Sequence, residues 1–259
     1  MSPPLVFITG ASSGIGLALA ERYAQLGWRL ALVARRLEPM QAWARAQGLP
    51  AGRCALYAAD VADTDAIVAA GQACMADMGL PDVVIANAGI SLGVDTAQRE
   101  DLDVMARTFA TNVLGVAATF HPFIAPMARR GTGTLVGIAS VAGVRGLPGH
   151  GAYCASKAAV IRYCESLRGE LRARGVRVVT LSPGYIATPL TSRNRYPMPF
   201  LLQPAQFAAR AVRAIDAGVR HRFIPWPMGL VAALLHVLPG AWFDRLLAGR
   251  PRKHRHNEA

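Results

Sequence analysis

Tyr153 and Lys157 stand four residues apart in GAYCASKAAV, residues 151–160. On a helix this spacing puts a phenol and an ammonium on one face, one turn from each other. A free tyrosine titrates near pH 10, too high for an acid–base catalyst at neutral pH. A cation about 4 Å away, at an effective dielectric of ~20, contributes up to ~4 kcal/mol, on the order of 3 pKa units, and brings the phenol into range. The lysine stands out in its own right, because of 28 basic residues only Lys157 and Lys253 are lysines. A compact ammonium fits beside hydroxyls where a wide planar guanidinium does not. Ser140 and Asn112 add a hydroxyl and an amide, although spacing alone does not bring the four together.

Positioning them requires a scaffold, and the chain alternates short apolar runs with longer helical segments. Residues 5–10, 28–34, 53–59, 82–88, 133–140, 176–182 and 221–226 read as seven strands. Near-continuous apolar runs of this length suit strands buried on both faces. Residues 14–26, 38–47, 63–78, 100–129, 150–174 and 204–217 read as helices, with Asp63 and Gln203-Pro204 as start signals. Repeated βα units predict an α/β fold, a doubly wound parallel sheet of Rossmann type with helices on both faces. No linker divides the chain. Residues 1–226 are expected to form the catalytic domain, 227–249 an apolar helical hairpin of the same domain split at Pro239-Gly240, and 250–259 a basic, disordered tail. Ser140 then ends the fifth strand, Asn112 lies inside the long helix before it, and Tyr153 and Lys157 share the helix after it.

TGASSGIG, Thr9 to Gly16, joins the first strand to the first helix. Gly10, Gly14 and Gly16 allow a sharp turn and a close approach to a pyrophosphate, while Ser12, Ser13, Ile15 and the helix N-terminus direct N–H groups at it. A glycine trio is weak evidence alone, but here it has the strand before it and the helix after it that the motif requires. An acid at the end of the second strand would bind ribose hydroxyls and repel a 2′-phosphate. This chain has Arg35 and Arg36 there and no acid until Glu38. Fixed guanidinium donors suit a phosphate, which favours NADP(H) over NAD(H), and Ser13 can add a hydroxyl to the same phosphate. Asp60-Val61 and Asn87-Ala88-Gly89 follow the third and fourth strands, on the rim where open α/β sheets bind ligands.

Thr9-Gly10-x-x-x-Gly14-x-Gly16, Asn87-Ala88-Gly89, Asn112, Ser140, Tyr153-x-x-x-Lys157 and Pro183-Gly184-x-x-x-Thr188, in this order, resemble the short-chain dehydrogenase/reductase family over residues 4–226. The resemblance implies that Tyr153 protonates a carbonyl oxygen during reduction and takes the proton back in the reverse direction. It implies that Ser140 holds that oxygen, that Lys157 binds the nicotinamide ribose and lowers the Tyr153 pKa, and that Asn112 anchors a water behind the lysine. Thr188, with the backbone near Ile186 and the Pro183-Gly184 pair, would fix the nicotinamide carboxamide. Asn87 would support the central strands, and Asp60 would contact the adenine. Ala86 stands where the family often has another asparagine. An alternative from a different class is a non-enzymatic NADP(H)-binding sensor or scaffold on the same fold, although such proteins usually lose a catalytic member and all four are present here.

A net charge of +12 raises nucleic acid or anionic membrane as partners, but the arginines are scattered and only RPRKHRHNEA concentrates them, so no nucleic-acid partner is expected. Cys54, Cys74, Cys154 and Cys164 lie far apart without a CxxC, which predicts reduced thiols in apolar surroundings and no metal site. Cys154, next to the tyrosine, could confer sensitivity to alkylation. MSPPLVFITG has no secretory pattern, so the cytoplasm is the expected compartment. The segment after Thr188, with Tyr196, Met198, Phe200, Leu201 and Leu202, reads as an apolar lid, and Val141, Val144, Leu147, Pro148 and His150 as pocket residues, His150 at the rim. The expected substrate is a hydrophobic carbonyl or alcohol, lipid-like or steroid-like. The hairpin closes the pocket in one reading. In the other, Trp226, Trp242 and Phe243 give it peripheral membrane contact, the apolar run being too short to span a bilayer. The two long helices resemble those that pair subunits in this family, implying a homodimer or homotetramer.

Overall fold

In β1 (Leu5–Thr9) successive side chains serve different cores: Leu5 and Phe7 enter one apolar cluster, Val6 and Ile8 another. That alternation is the period of two of a strand covered on both faces. The computed structural model describes residues 2–192, 197–249 and 255. Within them β1 is joined by β2 (Arg29–Ala34), β3 (Cys54–Ala58), β4 (Val83–Ala86), β5 (Gly133–Ile138), β6 (Val176–Pro183) and β7 (His221–Ile224). The sheet order is β3-β2-β1-β4-β5-β6-β7, parallel throughout. The chain winds outward from β1 to β3, then crosses back to place β4 on the other side of β1, with Val6 opposite Val83 and Ile8 opposite Ile85. That reversal opens a crevice at the carboxyl ends of β1 and β4, where the glycine loop lies.

Helices α1 (Gly14–Gln25) and α7 (Pro204–Asp216) pack together over the face holding Val6 and Ile8. α3 (Thr64–Met78), α5 (Gly115–Arg130) and α6 (Gly151–Leu171) cover the other, and α2 (Glu38–Ala46) follows β2. Both expected start signals act: the Asp63 carboxylate accepts from Ala66 N–H at 3.0 Å, and the Gln206 side chain accepts from Gln203 N–H at 3.1 Å.

The helix expected over 100–129 is three pieces. α4 (Arg99–Phe109) runs into a π-helical turn, Ala110–Leu114, before α5 begins. One extra residue in that turn re-aims Asn112, a local distortion that an apolar period does not report. The segment expected at 150–174 is α6 followed by a 3₁₀ turn, Arg172–Arg174, ended by Gly175 at φ 72°.

The hairpin forms as read, α8 (Trp226–Val237) and α9 (Gly240–Leu247) meeting at a bend of 119°. Met228 of α8 approaches Gly184 so closely that a Cβ there would lie 2.8 Å from Met228 Cγ, so glycine at 184 is what lets the hairpin seat against the end of β6. Among the described residues no single helix is long and apolar enough to cross a membrane. Tyr196 and the tail other than Arg255 lie outside the described residues; Arg255 pairs with Glu100 and Asp101 at 2.6 and 2.8 Å. All four cysteines are free thiols. Burial pushes Cys54 and Cys164 up to about 11 and Cys74 up to about 12. Cys154 is buried, so the alkylation sensitivity expected of it meets a shielded thiol.

Candidate active site

The glycine loop is shaped by contacts that leave no room for side chains. A Cβ on Gly16 would lie 2.2 Å from the Gly10 carbonyl oxygen and 2.6 Å from Asn87 Nδ2. Gly10 and Gly14 adopt φ 67° and 56°, a left-handed conformation that glycine takes without penalty. Asn87 holds the loop from the neighbouring strand, donating from Nδ2 to the carbonyls of Thr9 at 3.0 Å and Gly10 at 3.3 Å. The Thr9 hydroxyl accepts from the N–H groups of Asn87 and Ala88 at 3.1 and 3.2 Å, which ties β1 to β4 at the crevice. Ser13 stands at the N-cap of α1 but its side chain makes no capping bond, and the first turn carries no acid. The N–H groups of the first turn and the positive end of the helix therefore face the crevice without a capping side chain or a first-turn acid to offset them.

Arg35 and Arg36 are exposed just beyond β2, and Arg35 Nη1 reaches Asp60 Oδ2 at 3.8 Å across the rim. Val61 is buried, so it can offer a ligand only its backbone. Thr188 lies against the loop, its Cγ2 being 3.2 Å from where a Gly14 Cβ would stand. Ile186 is buried too, its carbonyl accepting from the Thr191 hydroxyl, and Thr191 also receives the Thr188 N–H at 3.1 Å. Thr191 was not among the residues expected from sequence.

Tyr153, Lys157, Ser140 and Asn112 converge at the ends of β4 and β5. The Ser140 side chain neighbours the Tyr153 hydroxyl and favours its ionised form, and Ser140 Oγ accepts from Ala142 N–H at 3.1 Å. Asn112 is fully buried and makes three side-chain bonds: Oδ1 accepts from Ile90 N–H at 2.8 Å, while Nδ2 donates to Ile90 O and to Ser156 Oγ, both at 2.9 Å. Ser156 in turn donates to the Tyr153 carbonyl at 2.8 Å. The amide thus fastens the loop after β4 to the helix turn that carries the tyrosine. Oδ1 keeps a second lone pair that can accept from a water, and Ser156 carries no distinguishing mark in the sequence.

The ammonium of Lys157 is held at the end of β5. It donates to the Ile138 carbonyl at 2.8 Å and stands 5.9 Å from the centroid of the Tyr153 ring. Burial governs both groups. It pushes the phenol above its ordinary range, against the influence of the neighbouring Ser140, and Cys154 adds to the rise. It brings Lys157 down to about 8, with Cys164 opposing.

Beside Ser140 and Tyr153 opens a cavity of about 340 Å³. Val141, Leu147 and His150 line it as expected, together with Pro183 and Gly184. Its far wall is the hairpin, with Met228, Val231 and Leu235 from α8 and Phe243 and Leu247 from α9. Other expectations for the pocket fail. Val144 is absent from its lining, and Pro148 faces a neighbouring pocket with Val94 and Met105. From the lid segment Leu190, Thr191 and Pro199 reach the cavity, whereas Phe200 and Leu201 are exposed. Leu202 is buried instead, bridged to Ile186 as a one-residue extension of the core. Met198 is likewise absent from the lining. Arg145, unremarked in the sequence, lines the cavity.

The family described as short chain dehydrogenase matches residues 4–198. The chain is 38% identical over 247 residues to a protein of Myxococcus xanthus named as an uncharacterized oxidoreductase, covering 94% of this chain and 96% of that one. It is 35% identical over 240 residues to 17-beta-hydroxysteroid dehydrogenase type 1 of Mus musculus, covering 90% of this chain and 66% of that one. A solved short-chain dehydrogenase from Streptomyces avermitilis matches with a TM-score of 0.75 at 22% identity, over 95% of each chain, a likeness of fold. With the family's sequence, fold and ordered motifs all present, the chain belongs to the short chain dehydrogenase family and is an oxidoreductase of that type.

Proposed function

We propose that the protein interconverts a ketone and a secondary alcohol on a hydrophobic, lipid-like or steroid-like substrate, with NADP(H) as cofactor. The observation that carries this reading is the hydroxyl pair of Ser140 and Tyr153 at the wall of an apolar cavity adjoining the glycine loop. The crevice suits a dinucleotide, since a Cβ on Gly16 would fill the space beside the Gly10 carbonyl and the α1 N-terminus points N–H groups outward. The cofactor, when bound, supplies the two electrons and hydrogen that reduce the carbonyl carbon. Gly10, Ser12, Ser13, Gly14, Ile15 and Gly16 hold its pyrophosphate, and Arg35 and Arg36 its 2′-phosphate. Asp60, Val61, Ala88 and Gly89 border the adenosine, while Pro183, Gly184, Ile186 and Thr188 border the nicotinamide. Lys157 binds ribose hydroxyls through its ammonium. Ser140 donates a hydrogen bond to the substrate oxygen, and Tyr153 gives that oxygen its proton. A phenol held protonated by burial is a competent donor, and Asn112 keeps it in place through Ser156.

The relative named for a steroid supports the hydrophobic substrate class. Exposed Trp226, Leu230, Leu234 and Val237 run along one face of α8, opposite the face that lines the cavity, and Trp242 continues them on α9. This supports contact with the cytoplasmic face of a membrane, through which an apolar substrate reaches the pocket. Phe243 takes no part in that surface, because it is buried beneath Arg145. Exposed Leu102 on α4 and Leu114 in the π turn support pairing of subunits through this side.

Tyr153→Phe removes only the proton donor. Turnover of ketones, followed by nicotinamide absorbance, is expected to vanish while NADPH binding is kept, and retained turnover would sink the mechanism.

A further inference from the structure

Among the described residues that line the cavity, Arg145 is the one charged side chain fixed in its ionic state, and none is Asp or Glu. Its guanidinium lies 4.4 Å over the Phe243 ring, and Nη2 donates to the Leu238 carbonyl at 3.1 Å. No other hydrogen bond and no carboxylate partner of Arg145 occurs among the described residues. A guanidinium carries five N–H donors, so most of its capacity is unspent. Arg168, also half-buried, shows the contrast: it donates to Val178 O at 3.0 Å, Thr180 Oγ1 at 3.3 Å and Arg220 O at 2.8 Å. A latch for the hairpin needs one donor and no charge. A cation kept in an apolar wall and left short of acceptors is instead matched to an anion brought by the ligand.

We propose that Arg145 binds a carboxylate on the substrate, so that the pocket selects oxo acids whose ketone is separated from the carboxylate by an apolar chain. The inference rests on the reductase reading for where the ketone sits, at Ser140 and Tyr153. Arg145, five residues beyond Ser140, meets the hairpin at Leu238 and Phe243, and Val141, Leu147, Met228 and Leu235 supply the apolar walls of the same cavity.

The test is calorimetric binding of decanoate and of decanamide, equal in length but differing in charge, to the full chain with and without NADP+. Charge-assisted bonds to a sheltered guanidinium are expected to favour decanoate on the order of 10- to 100-fold. Arg145→Gln keeps a donor for Leu238 O and should bring the ratio to about one, while Arg145→Lys should keep part of it. Absence of binding, equal binding in the parent, or an equal loss of both ligands in Arg145→Gln would each overturn the proposal, the last because it marks a latch only. Turnover of neutral ketones is measured separately. A protein that prefers decanoate yet reduces no ketone refutes the reductase reading and keeps the carboxylate site; one that reduces neutral ketones without preferring decanoate does the reverse.

Discussion

Replacing Lys157 by Met should make the protein more stable and inactive. The lysine is 4% exposed, and burial lowers it from an ordinary 10.5 to about 8. At 1.36 kcal/mol per pKa unit, holding the ammonium in this site costs roughly 3 kcal/mol relative to the neutral amine. Losing the bond to the Ile138 carbonyl returns about 1 kcal/mol, which leaves a gain of roughly 2 kcal/mol for the variant at pH 7. The folded amine titrates below the unfolded one, so between about 8 and 10.5 the unfolded chain binds the extra proton and the parent's stability rises with pH. The variant's advantage is therefore full below pH 8 and shrinks toward zero as pH approaches 10.5. Guanidinium denaturation of parent and variant side by side at pH 7 and pH 10 measures it, since other titrating groups cancel in the difference. A variant no more stable at pH 7, or a gain that does not shrink with pH, would refute the reasoning. The accompanying loss of turnover would make Lys157 a residue whose burial costs stability for the sake of the reaction.

Gly16→Ala should lose at least 1–3 kcal/mol of stability, because the new methyl meets a backbone oxygen that cannot swing aside, and NADPH titration should show weakened binding. Arg35→Ala and Arg36→Ala should each lower the preference for NADPH over NADH by on the order of 10-fold; an unchanged ratio of dissociation constants removes that arginine from the 2′-phosphate site. Leu230→Glu with Leu234→Glu should abolish co-flotation with anionic liposomes while leaving the thermal transition in place, both side chains being more than 60% exposed. Equal flotation of parent and variant would remove α8 from any membrane surface.

What was legible in the chain follows from how local each constraint is. β1 could be read because its alternation between two cores makes Leu5 to Ile8 all apolar, and the start of α3 because Asp63 caps it through a bond three residues long. The glycine loop was equally plain, since a clash at 2.2 Å with the loop's own Gly10 admits no other residue at 16. The π turn was invisible because its cause is distant: Asn112 is drawn to Ile90 and Ser156, 22 and 44 residues away, and neither leaves a mark on the apolar period of residues 100–129. The lid failed for a related reason. Apolar residues between 197 and 202 serve three ends, cavity, solvent and core, and only the pairing of Leu202 with Ile186 decides which. Lys157 marks the boundary between the two kinds of reading. Its rarity in an arginine-rich chain singles it out, but the sign of its influence depends on where its nitrogen points. Its nitrogen is held on the Ile138 carbonyl while burial pushes the phenol up, so the protonated Tyr153 expected during reduction is already the form this scaffold favours. Lowering that pKa is then a demand of the reverse reaction alone, where the phenol must accept a proton, and the Lys157 ammonium, 5.9 Å from the ring centroid, is a cation that can meet it.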